Sequence, residues 1–216
     1  MITDELTYLI QQGYQSIGEL EFTRLADSSS GDKYLLFHQE DRNHLRDARV
    51  YKKVTDAREI AKYDRYGNYR PLKGAPNLPR GWVLELPDID SLRRALDLFY
   101  PGAVGTFLAF KRNATRAIAF RDTVNRQTGM YRVTKKITTA EAERLVSSEC
   151  CSEYKCLRTI LWSIEPDGRQ DFLPKSKSDP DYDQTGAGRI GLPFLCLEPC
   201  NLLVAAARRA VTKSQK

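Results

Sequence analysis

All five cysteines of this chain fall in its last third, in two tight groups separated by a long polar stretch. The first group reads Cys150-Cys151-Ser-Glu-Tyr-Lys-Cys156-Leu-Arg and the second Cys196-Leu-Glu-Pro-Cys200. A fold that uses these thiols together has to bring two distant segments to one point, and that requirement limits the possible architectures more than any other feature. Met1-Ile-Thr-Asp-Glu lacks the basic start and apolar middle of a secretory leader, and no apolar run reaches the roughly 18 residues that span a bilayer. A cytoplasmic protein with no membrane span is expected. In a reducing compartment clustered thiols are more often ligands or catalysts than disulfides, and an odd number of them fits four ligands with one over.

The spacing favours a large inorganic body. Zinc is usually gripped by C-x2-C knuckles, whereas here Cys151 and Cys156 are separated by four residues and Cys196 and Cys200 by three. A four-iron cubane needs four thiolates wrapped around it, so a 4Fe-4S cluster is the expected cofactor. Structural zinc is the alternative, and ordinary buried cysteines are the reading without a metal. The expected ligands are Cys151, Cys156, Cys196 and Cys200; Cys151 gives the shorter loop, and Cys150 is the alternative to it. Pro199 puts Cys200 at the opening of a final helix, where unpaired N–H groups and the helix dipole favour a thiolate. Leu157, Trp162, Phe194, Leu195 and Leu197 would form a dry shell. A cluster on four thiolates is anionic, so Arg158, Arg189 and Arg208 are the candidate cations beside it.

Charge is uneven along the chain. Residues 1–41 carry a net −6 and residues 42–136 a net +12. So basic a middle attracts polyanions such as nucleic acid, an anionic membrane or a small molecule with several carboxylates; otherwise it is a solvated face balanced by the acidic amino-terminal segment. Tyr63, Arg65, Tyr66, Tyr69 and Arg70 could stack on and pair with a nucleic acid or a flat conjugated ring, or pin their loop to the core.

Periodicity predicts an α+β fold of two packed parts, 1–136 and 137–216, the second a small cysteine-ligated domain. Leu6, Leu9 and Ile10 mark a helix over 3–12, and Leu20 and Phe22 alternate with polar residues as in a strand paired with 34–37. A helix enters at Thr55-Asp56, and the Pro- and Gly-rich run 64–81 is irregular. Trp82, Leu84 and Leu86 alternate as in a strand, and Asp88 caps a helix bounded by Pro101. Further helices are expected over 114–124, from the capping box of Thr138 and Glu141 to about Glu149, and after Pro199. Arg126–Arg132 reads as a turn, 157–164 as a strand or short helix and 166–191 as a polar loop. Gly186-Ala-Gly188-Arg-Ile-Gly191 fits G-x-G-x-x-G, but no strand precedes it and Pro193 blocks a helix. Asp179-Pro-Asp181-Tyr-Asp183 lacks the glycine and glutamate of a calcium loop. His38 and His44 lie far from the cysteines in sequence, and neither a nucleophile elbow nor a P-loop is present, so no catalytic residue is assigned.

Ala61 to Trp82, Ala95-Leu-Asp-Leu-Phe-Tyr-Pro101, Arg126-Gln-Thr-Gly-Met-Tyr-Arg132 and the two cysteine motifs together resemble the carboxy-terminal half of a CbiX-type sirohydrochlorin cobaltochelatase family of Deinococcus. The resemblance spans most of the chain. It implies a stabilising domain followed by a 4Fe-4S cluster-binding domain whose ligands are Cys150 or Cys151, Cys156, Cys196 and Cys200. No histidine-bearing metal-insertion site precedes these motifs here, so a non-catalytic accessory is expected. It would be a redox or sensing protein acting with a partner, such as an enzyme of tetrapyrrole metabolism. The alternative is a module that binds nucleic acid or a partner, with a purely structural cluster or zinc.

Overall fold

A computed structural model describes residues 2–25, 32–128, 133–150, 156–168 and 190–213. The chain opens with α1 (Ile2–Gln11), β1 (Tyr14–Ile17), β2 (Leu20–Leu25) and β3 (Lys33–His38). After a 3-10 turn at Gln39–His44 come β4 (Arg49–Tyr51), α2 (Asp56–Lys62), β5 (Trp82–Leu86), α3 (Ile89–Phe99) and α4 (Ala103–Lys111). The remainder comprises α5 (Phe120–Thr128), α6 (Val133–Lys136), α7 (Thr139–Glu149), β6 (Thr159–Ile160), β7 (Ile190–Leu192), β8 (Leu195–Cys196) and α8 (Asn201–Lys213). The protein is α+β, with its cysteine-bearing part at the carboxy-terminal end.

Two hydrophobic cores organise these elements. The first lies under a six-stranded sheet ordered β4-β5-β3-β2-β1-β7. Leu20, Phe22, Leu36 and Leu84 project from one face of it, as the two-residue side-chain period requires, onto Leu6 and Leu9 of α1 and Leu92, Leu96 and Phe99 of α3. Asp88 caps α3 by accepting the Ser91 N–H at 2.7 Å. Glu21 on the opposite face of β2 meets Arg42 of the 3-10 turn. The second core is built from α5 to α8 with β6 and β8, around Val124, Val146, Trp162, Leu203 and Ala207.

One segment belongs to both cores. Ile190–Leu192 joins the sheet parallel to β1, Phe194 and Leu195 pack in the first core, and Cys196 packs in the second. β7 therefore replaces the end of the expected polar loop, and β1 adds a strand that the hairpin reading had not separated. The helix expected over 114–124 begins only at Phe120, because the amides before and at its start are bonded elsewhere. Ile118 N–H donates to Leu197 O at 2.8 Å, and Phe120 N–H donates to Ser163 O at 2.8 Å. Within 157–164 only Thr159–Ile160 forms a strand. Of the turn expected over Arg126–Arg132, residues 126–128 instead form the last turn of α5, and 129–132, the Asp179 motif and residues 186–189 lie outside the described residues.

Candidate metal centre

Three segments deliver cysteines to one place. α7 starts at a complete capping box, in which the Thr138 side chain accepts the Glu141 N–H and Glu141 accepts from Thr138 N–H at 2.8 Å. It ends at Cys150, which is half-buried and whose N–H donates to Val146 O at 2.9 Å. The second segment starts at Cys156 and becomes β6, which runs parallel to β8 with Ile160 opposite Cys196. The Leu161 N–H donates to Cys196 O at 3.0 Å, so the backbone ties the two cysteine motifs together. Cys200 occupies the cap position of α8, because its carbonyl accepts the first helical bond, from Val204 N–H at 3.1 Å.

Cys150, Cys156, Cys196 and Cys200 line a single cavity of about 510 Å³. Their environments differ. Cys196 is 9% exposed, and burial pushes its thiol up to about 11, partly offset by the Trp162 indole N–H donated to its sulfur at 3.3 Å. Its own S–H donates to Glu198 O at 3.2 Å. Cys200 sits on the exposed rim and is drawn down to about 6. The Cys150 hydrogen bond is the chief cause; the Leu203 and Leu202 N–H groups at the start of α8 and the Arg158 charge add to it against the opposing effect of burial. The Cys150 hydrogen bond, helped by the start of α8, thus favours the thiolate form of Cys200, while an indole N–H points at the Cys196 sulfur.

This donor set fits a cluster. Every cysteine side chain lining the cavity offers soft sulfur, the ligand type that iron-sulfur centres take. Among the described residues no group of three His, Cys, Asp or Glu side chains stands ready to hold a single ion; the four cysteines are distributed around one cavity, with Cys150 hydrogen-bonded to Cys200. The wall opposite Cys156 is Gly74, where a Cβ would lie 2.8 Å from the Cys156 sulfur.

The remaining candidates fall in several places. Arg158 lines the cavity, with its guanidinium stacked 4.6 Å from the centre of the Phe194 ring. Arg208 lies on α8 and donates to Gln127 O at 2.8 Å. Cys151 and Arg189 lie outside the described residues. Trp162 belongs to the second core, while Phe194, Leu195 and Leu157 pack in or against the first. His38 is fully buried beside Glu19, with Nε2 3.4 Å from the carboxylate, among the first core's residues. Lys73 and Gly74 also line the cavity, and no motif marked them. Their loop showed itself in its proline and glycine richness and in the Ala61–Trp82 resemblance, neither of which says what the backbone touches.

Arg70 explains the loop's shape. It is 1% exposed and donates through Nε to Asn77 Oδ1 at 2.8 Å and through Nη2 to Lys73 O at 2.6 Å and Ala75 O at 3.0 Å. Arg65 turns inward to Glu19, whereas Tyr66 and Tyr69 stand 79% and 65% exposed. No helix among the described residues is long and apolar enough to cross a membrane.

Comparison with known proteins assigns both parts of the chain. Residues 3–110, half of its length, match the family described as the DR2241 stabilising domain. Residues 112–209 match the family described as the 4Fe-4S iron-sulfur cluster binding domain. A solved structure from Deinococcus radiodurans superposes with a TM-score of 0.71 and 26% identity over 98% of this chain. That structure is described as a multi-domain protein with structural similarity to chelatases and two additional novel domains, and this chain covers 41% of it. No curated protein matches.

Proposed function

Since the chain belongs to the DR2241 stabilising-domain family and carries a 4Fe-4S cluster-binding domain behind it, we propose that it serves as a redox or sensing accessory to an enzyme of tetrapyrrole metabolism. One observation carries this reading: four cysteines from two motifs far apart in sequence line a single cavity. Cys156, Cys196 and Cys200 would hold the cluster with Cys150 or Cys151. A 4Fe-4S centre on thiolates supplies one-electron exchange at a potential set by nearby charge, hydrogen bonds and solvent exposure. The chain's own residues address each of these. Arg158 brings positive charge, the Trp162 N–H reaches the Cys196 sulfur, and Leu72, Ile160 and Leu202 give the wall apolar surface. The link to tetrapyrroles rests on the chelatase-like Deinococcus relative.

The charge pattern favours this reading over nucleic-acid binding. Several arginines of the basic middle already face acidic groups of the first segment: Arg42 with Glu21, Arg65 with Glu19, Arg80 with Glu40 and Arg112 with Glu5. Anaerobic purification, an absorption spectrum, and iron and sulfide analysis test the cofactor. About four of each per chain is expected. Colourless protein with stoichiometric zinc would defeat the proposal, as would tight, salt-dependent binding to DNA by a chain indifferent to reductant.

A further inference from the structure

The matched cluster-binding segment begins at residue 112, yet the cavity's wall is completed by residues more than thirty positions upstream of that point. We infer that the segment Arg70–Gly74 of the first part is a positioning element for the cluster, holding the Cys156 strand in place and giving its sulfur the space that a side chain would fill. The inference rests on the proposal that Cys156 is a cluster ligand.

Three contacts build the argument. The Gly74 carbonyl accepts the Leu157 N–H at 2.7 Å, so the residue after Cys156 is fastened to the first part by its backbone. A Cβ at Gly74 would lie 2.8 Å from the Cys156 sulfur, 3.5 Å from Phe194 Cε1 and 3.6 Å from Arg158 Cγ. The first of these is closer than a real Cβ comes to any atom, so one partner has to move. The loop is not free to do so. Buried Arg70 clasps the carbonyls of Lys73 and Ala75 from inside, and Lys73 Nζ donates to Ala61 O at 2.7 Å.

The consequence depends on what the sulfur is doing. As a thiol, Cys156 is held by one side-chain torsion with staggered alternatives, so yielding to a methyl group costs that rotation and the contacts its side chain makes here. As an iron ligand it is fixed, and the added methyl must displace either the ligand or the loop. A glycine kept merely for folding would matter equally in both states, whereas a positioning glycine matters more in the loaded one.

The test compares full-length wild type, Gly74→Ala and Gly105→Ala, each with and without reconstituted cluster. A methyl at Gly105 meets nothing within 4 Å, so that variant controls for substitution itself. The expected result has three parts. Without cluster, Gly74→Ala melts somewhat below wild type; with cluster, it gains clearly less thermal stability than wild type gains. Its reduced-state EPR spectrum is shifted, and its visible absorption bleaches several-fold faster in air. Arg70→Lys, which loosens the loop from inside and keeps the charge, should move the loaded-state readouts the same way. It also decides the matter should Gly74→Ala fail to accumulate. Equal stability gain, an identical EPR spectrum and unchanged bleaching in the variants overturn the inference while leaving the cluster in place. Wild type that takes up no iron overturns the function proposed above, and this inference with it.

Discussion

Arg158 and Trp162 act on the cavity through different physics, and each can be removed by one substitution. Arg158 holds a fixed positive charge beside the thiols, stacked on Phe194 so that its direction is set. A cluster on four thiolates gains negative charge on reduction, and a nearby cation favours that state. Arg158→Ala should therefore lower the midpoint potential, by on the order of tens of millivolts. An unchanged midpoint in protein-film voltammetry or dye-mediated titration would remove Arg158 from the account. Trp162 works through its indole N–H, 3.3 Å from the Cys196 sulfur. A hydrogen bond to a charged acceptor contributes about 1.5–3 kcal/mol, so Trp162→Phe, which keeps an aromatic ring but has no donor, should lower the potential and speed iron loss to a chelator. The position of Arg158 at the cavity is legible in the sequence, since it stands two residues from Cys156. That of Trp162 is not, because its donor reaches Cys196 only when β6 and β8 pair.

Among the elements, those that signal themselves locally were the ones that could be read. α3 and α7 carry their caps in sequence, Asp88 and the Thr138–Glu141 box, and both form where those residues place them. α4 gives little local signal, since Ala103, Val104, Phe107 and Leu108 spread apolar groups around much of the helix and leave a weak face preference. β7 is three residues long, and its partner strand lies at the other end of the chain, so nothing nearby distinguishes it from loop. α5 starts late because Ile118 and Phe120 give their amides to the segments holding Leu197 and Ser163, a choice that no window around residue 118 contains. The capping box offers a test at this scale, because α7 is the element that delivers Cys150. Thr138→Ala removes the acceptor for the Glu141 N–H and should cost about 1 kcal/mol, read as a lower urea midpoint at unchanged slope. Cys150 lies at the opposite end of α7 from the box, so iron occupancy at saturating iron and sulfide should stay near wild type. A large loss of occupancy would mean that the helix start governs the site itself.

For the whole molecule, the decisive feature is that the stretch from Ile190 to Cys196 runs through both cores before it reaches the cavity. Ile190–Leu192 completes the sheet, the Phe194 ring packs 4.7 Å from that of Tyr100 in the first core, and Cys196 is buried in the second. Folding of either part therefore constrains the other, and a cluster bound at Cys196 and Cys200 should stabilise both, because a ligand that binds only the native state raises the stability of everything that unfolds with its site. Calorimetry of loaded protein should show one cooperative transition, with near-ultraviolet and far-ultraviolet signals changing together. Phe194→Ala removes the ring that bridges Tyr100 and Arg158 and should cost about 3–5 kcal/mol, the usual range for a buried phenylalanine. More tellingly, it should separate the transitions. The first part, with its sheet and the α1 and α3 helices, should then unfold independently of the cluster, and loading should raise only the second transition. Coincident transitions that still rise together on loading in Phe194→Ala would show that the connection between cores runs elsewhere, through the Leu157 N–H bond to Gly74 or the pairing of β7 with β1.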